Sequence, residues 1–136
     1  MSYQTIRDLL RVQLNTTPGN LPTAWENVAY TPVVGDPYQS VHLLPARTEN
    51  PTFDRPFRRE TGLMQVSLFF PVNAGPDPAA LRAQAIASMF PRGLTLVNGT
   101  LRVLIDASPF IGPARNEGAW YFLPVSIPYT ADVYSD

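Results

Sequence analysis

Apolar residues recur at two different spacings along the chain, and the switches between them mark out its elements. From Ser2 to Leu14 they return every three or four residues, at Tyr3, Ile6, Leu10 and Leu14, with Leu9 widening the stripe. That period predicts a helix over residues 2–14 with one buried face. Arg7, Asp8 and Arg11 fall away from the stripe, Ser2 stands where a cap is needed, and Asn15-Thr16-Thr17-Pro18-Gly19 ends the run. Residues 25–31 (WENVAYT) then read as a short strand, closed by Pro32 and the Gly35-Asp36-Pro37 turn. Residues 38–46 (YQSVHLLPA) read as a second strand.

In residues 62–70 (GLMQVSLFF) the spacing becomes two. Met64, Val66, Leu68 and Phe70 face one way, and Leu63, Gln65, Ser67 and Phe69 the other, as in a strand with one buried face. The chain turns between Pro71 and Pro76. Asp77 followed by Pro78 is a helix start, an N-cap acid and then a proline at the first helical position. The helix over residues 78–90 is expected to turn Leu81, Ala85, Ile86 and Met89 inward, with Gly93 just past its end. Residues 94–97 and 100–106 flank Asn98-Gly99, a dipeptide that tolerates positive φ and predicts a tight hairpin. Leu101, Val103 and Ile105 share one face of the returning strand.

Residues 107–117 read as a loop rich in proline and glycine. The last strand, 118–130, buries Tyr121, Leu123, Val125, Ile127 and Tyr129, and places Pro124 and Pro128 on the other parity. Proline donates nothing to a ladder, so this strand is expected at a sheet edge for part of its length. The order predicts an α+β fold, an antiparallel or mixed β-sheet with two helices packed on one face. With no repeat and no linker, residues 1–136 form one domain.

Composition narrows what such a domain can do. Charged residues make up 15% of the 136-residue chain, below the usual quarter. The net charge of −1 gives no overall attraction to nucleic acid or to an anionic membrane. Every basic residue is arginine, which suits planar contacts in fixed interfaces and is equally what a GC-rich genome favours. The absence of cysteine removes disulfides, thiol catalysis and thiolate metal sites. His42, the only histidine, falls within a predicted strand, and no Gly-x-Ser-x-Gly elbow accompanies it. The acids are scattered, and no phosphate-cradling glycine loop is present. The N-terminal MSYQTIRDLL has neither the basic nor the apolar region of a signal peptide. The expectation is a protein without catalytic residues, metal or cofactor, and without a membrane segment.

Two segments stand out as candidate contact regions. Residues 47–60 (RTENPTFDRPFRRE) have no clear period and read as a long polar loop. They carry Arg47, Phe53, Arg55, Phe57, Arg58 and Arg59, with Glu49, Asp54 and Glu60 offsetting much of the charge. A solvated loop, a loop ordered against a neighbouring subunit, and a set of arginines meeting nucleic-acid phosphates are the three readings. The second segment, Ser108 to Gly118, offers Phe110, Ile111 and Arg115, which would suit an interface or fold back onto the core.

Three stretches resemble one family. They are TAWENVAYTPVVGDPYQSVHLLPA (residues 23–46), ETGLMQVSLFFPVNAGPDPAALRAQAIASMFPRGLTLVNGTLRVLI (residues 60–105) and GAWYFLPVSIPYTAD (residues 118–132). They resemble tail terminator, or tail completion, proteins of long-tailed bacteriophages and the similar minor tail proteins of gene transfer agents. The likeness lies in fold-level marks: the Trp25-Glu26-Asn27 start, the Gly62-led strand, and the helix ending in Met89-Phe90 before Gly93.

The resemblance implies a non-catalytic virion protein that caps the tail tube as a homo-oligomeric, hexameric ring and forms the joining surface to the head. The alternative it leaves is a head–tail connector or another minor tail protein. It implies contacts with copies of itself, with the major tail tube protein and with head–tail connector proteins. It implies no membrane and no sequence-specific nucleic acid, and a place in the virion tail after assembly in the host cytoplasm.

Overall fold

The computed structural model describes residues 2–16, 21–26, 28, 30–33, 35–49, 58–72, 75–99 and 101–133. Two helices, α1 (Ser2–Asn15) and α2 (Asp77–Met89), lie against one eight-stranded sheet. The strands are β1 (Thr23–Ala24), β2 (Tyr38–Glu49), β3 (Arg58–Pro71), β4 (Thr95–Asn98), β5 (Leu101–Leu104), β6 (Phe110–Ile111), β7 (Arg115–Glu117) and β8 (Trp120–Val133). Their order is β1-β2-β3-β8-β5-β4, with β6 and β7 also paired to β8. Only β1–β2 is parallel, so the sheet is mixed and the fold is α+β, as predicted.

Alternation decides which face of the sheet is covered. Register sets Val41, Val66 and Val125 side by side, then Leu43, Met64 and Ile127, and all six are buried. Ile6, Leu10 and Leu14 of α1 join the same cluster as Ala79, Ala83 and Ile86 of α2. Fully burying a side chain of this size contributes about 1.5–3 kcal/mol, so this one interdigitated layer supplies the main driving force for the fold. In the hairpin, Asn98 pairs with Leu101 and Gly99 has φ +62°, as its sequence requires, and Leu101, Val103 and Ile105 are buried.

Five local expectations are corrected. Among the described residues of 25–31 the expected strand does not form. Its place is taken by the two residues of β1, after which the Glu26 carboxylate accepts the Leu43 N–H from the edge of β2, doing with a side chain what a ladder partner would do.

The polar stretch 47–60 is not a loop throughout, because β2 runs on to Glu49 and β3 begins at Arg58. Arg47 pairs with Thr61, Thr48 with Glu60 and Glu49 with Arg59, after an irregularity between Pro45 and Arg47. The pairing is made by backbone groups, and residues outside the core need no apolar period to extend it.

In α2 the cap position is Pro76, with no side-chain cap hydrogen bond, and Asp77 opens the first turn, where its charge favours the helix dipole. Ile86 faces inward as expected and Met89 packs against the core, but the inward stripe is rotated from the one expected. Ala79, Arg82, Ala83 and Ile86 are buried while Leu81 is 67% exposed. The spacing 79, 82, 83, 86 is one helical stripe, and its alanines let the helix approach the sheet closely. That rotation carries Arg82 inside.

Finally, β8 is no edge strand. It pairs with β3 along its whole length, and on its other side with β7, β6 and β5 in turn, which makes the expected loop 107–117 partly strand. Pro124 pairs with Ser67, but its carbonyl accepts from Gly112, so its donor-less nitrogen also points away from β3. Pro128 has the same parity. Both prolines fall between the short strands, where the missing donors break no continuous ladder.

Candidate functional site

The side of the sheet away from the helices is the most unusual surface. Strand β2 places Tyr38, Ser40, His42 and Leu44 there. Opposite them in register, β3 places Phe69, Ser67, Gln65 and Leu63, and β8 then places Phe122, Pro124, Ser126 and Pro128. None of these side chains is a carboxylate or a guanidinium.

Rings gather at one end. Tyr38 stacks on Phe69 with centroids 4.7 Å apart, Phe69 lies 5.2 Å from Phe122, and Trp120 meets Tyr38 edge-on. Arg115 of β7 lies over Phe122, 4.7 Å from the ring centroid, and is ion-paired to Glu117. Burial, then the neighbouring Tyr30 and Glu117, push the Tyr38 hydroxyl pKa up, so it stays a neutral hydrogen-bonding group. His42, in the middle of this face, is exposed, and among the described residues it belongs to no group of three or more potential metal ligands.

A second feature lies on the helix side, at the β2 margin. A cleft of about 200 Å³ opens between α1 and the segment that carries Trp25 and Val28. Its floor is the core itself, Leu10, Val41, Leu43 and Met64. Its rim holds two ion pairs, Arg7 with Glu26 and Arg11 with Asp8.

Burial works to raise the Glu26 pKa, but the Arg7 hydrogen bond, the Leu43 N–H and the fields of Arg7 and His42 outweigh it. The net effect holds this carboxyl below the ordinary carboxylate range. A lowered folded-state pKa means that the associated stability is complete above the unfolded value, about 4.3, and is lost as the pH falls through the folded value. Glu26→Gln is therefore expected to cost about 1 kcal/mol at neutral pH, after allowing for solvent screening, and progressively less as the pH falls below the unfolded value. Urea midpoints of both proteins over that pH range check this. A cost that does not change with pH would refute the charge pairing as its cause.

The predicted contact residues are not brought to one place. Arg59 and Arg115 sit at opposite ends of β8, facing Asp132 and Phe122, about 33 Å apart at the rise of a strand. Arg59 reaches across its register pair to Asp132, Nε to Oδ1 at 2.8 Å. Arg47 and Arg58 lie on the paired ends of β2 and β3, while Phe53, Arg55 and Phe57 lie outside the described residues. Phe110, on β6 opposite Ser126, is 55% exposed and does not fold back onto the core.

Sequence reasoning missed the uncharged face and the cleft. Strand parity held half of the first, in the neutral run Leu63, Gln65, Ser67 and Phe69. Nothing local signalled the cleft.

Among the described residues, no group of three or more histidine, aspartate or glutamate side chains is placed to hold a metal, and no helix is long and apolar enough to cross a membrane. The class these features define is an α+β domain whose outer sheet face has an uncharged centre, flanked by Arg59 and Asp132 at one end and by Arg115 and Glu117 at the other, an arrangement of uncharged core and polar rim found in protein contacts. The family model for phage tail terminator protein matches residues 5–129, and the chain belongs to that family. A solved structure whose name states no function aligns with a TM-score of 0.79 at 24% identity, covering 100% of this chain and 99% of that one, which establishes the shared fold. The comparison with curated proteins finds no match. Membership gives the protein a structural role in the phage tail, in association with other tail and head proteins.

Proposed function

We propose that this protein closes the finished tail tube as a homo-hexameric ring and presents the surface to which the head is joined. The observation that carries the reading is the family match across residues 5–129. The uncharged centre of the outer sheet face supports it, because burying that centre against the tube or the head connector strands no charge. Arg47, Phe53, Arg55, Phe57, Arg58, Arg59, Phe110 and Arg115 are proposed as contact residues. Arginine and phenylalanine suit such contacts, the first through planar bidentate bonds and the second through apolar area.

Negative-stain images of the purified protein, with and without tail tubes, test the proposal. The expected result is a ring-shaped cap at one end of each tube and binding that saturates at one ring per tube. A protein that stays monomeric and never appears at tube ends would overturn it.

A further inference from the structure

We propose that neighbouring subunits of the ring lock together by a knob and a hole. Phe110 of one copy enters the cleft between α1 and the segment carrying Trp25 and Val28 of the next, while Ile111, on the opposite face of the same short strand, stays outside it. This deepens the ring reading and rests on it.

The knob is held outward. Two large apolar residues in succession, 55% and 43% exposed, form a strand that pairs only with β8, so its far side is open. Gly112 fixes the end of that strand. Its N–H donates to the Pro124 carbonyl, and a Cβ there would come within 2.9 Å of the Pro124 ring, so the turn is pressed against a rigid proline. An anchor set in its bound geometry before contact loses little entropy on binding.

The hole is suited to that anchor. At about 30 Å³ per water, the cleft of about 200 Å³ has room for roughly six waters or one large apolar side chain. Its floor is apolar and buried, and exposed Val28 forms one wall. The rim charges are already paired with each other, Arg7 with Glu26 and Arg11 with Asp8, so an entering side chain displaces water without stripping a lone charge.

The occupant is a second copy of this chain because of where the two parts lie. The cleft is at the β2 margin. The knob lies beyond β8, on the far side of β3. A chain cannot fill its own cleft across the sheet. A knob on one margin and a hole on the other make a head-to-tail contact, the heterologous kind that can close into a ring.

The chain has no cysteine, so introduced thiols report contacts cleanly. Phe110→Cys and Val28→Cys variants of the full chain are mixed, assembled on tail tubes and oxidised. The expected product is a covalent species of twice the 15.1 kDa chain mass that neither variant forms alone, and the double variant gives a ladder up to the closed ring. In parallel, Phe110→Asp weakens assembly on the order of thirtyfold while the melting temperature of the free subunit is unchanged. Rings that form without the 110–28 link, or that survive Phe110→Asp, overturn the knob and hole and leave the ring reading standing. The absence of any ring from the unmodified protein overturns both.

Discussion

Gly62→Ala lowers the melting temperature by roughly 10 °C, corresponding to a loss of about 2–3 kcal/mol. A methyl group at this position points into the ring of Tyr129, its register partner on β8, 2.6 Å from Cζ and closer still to the hydroxyl. On its other side it comes within 2.9 Å of the Leu44 carbonyl oxygen. Tyr129 is 3% exposed, so its ring cannot swing aside without breaking the layer around it. The strand cannot retreat either, because β3 is paired on both sides at this residue, to Pro45 and to Tyr129. The cause is testable separately from the size of the effect. In a Tyr129→Leu background the same alanine should cost well under half as much by thermal denaturation. Strictly additive losses would rule out the steric account.

Gln39→Leu costs about 3 kcal/mol, and adding Arg82→Met recovers most of it. Gln39 is fully buried on β2 and works in two directions. Its Oε1 accepts from Arg82 Nη2 at 3.3 Å, and its Nε2 donates to Thr23 Oγ1 at 3.0 Å. Arg82 is 6% exposed, and burial pushes its pKa down, the sign of a cation held where water does not reach. Removing an acceptor from such a group is expensive, whereas replacing both partners by apolar side chains of similar volume is often neutral. Urea unfolding with unchanged slope reads the difference. A double variant no more stable than Gln39→Leu alone would show that Arg82 depends on its other contacts instead.

These two sites also show what the sequence could and could not convey. The alternation of Met64, Val66 and Leu68, and of Leu123, Val125 and Ile127, identified the covered face because a strand imposes its period on every residue it buries. The close approach at Gly62 was not read from the sequence, because its partner, Tyr129, is far along the chain and only register reveals it. Arg82 was unreadable for a similar reason. Its acceptor lies 43 residues away, and a stripe holding an arginine loses to one holding Leu81 when only apolarity is weighed.

The prolines of β8 were read correctly as missing donors. Their consequence was misplaced because position in the sequence does not say which neighbour a nitrogen faces. Of the contact surface, only the neutral parity of 63–69 was visible in advance. The cleft depends on α1 and the Trp25 segment docking side by side, which no local pattern encodes.

The donor-less positions of β8 divide its amide protons into two populations. Those facing β3 belong to an unbroken ladder reaching from Arg58 to Pro71, and they exchange with solvent only when the sheet itself opens. Those facing the other way belong to three brief pairings separated by Pro124 and Pro128. Each of these patches can fray and reclose while its neighbours and the inner ladder stay shut. Alternate residues of one strand thus keep time by different clocks. The faster clock runs along the margin that carries Phe110, so that margin can adjust its shape without loosening the core.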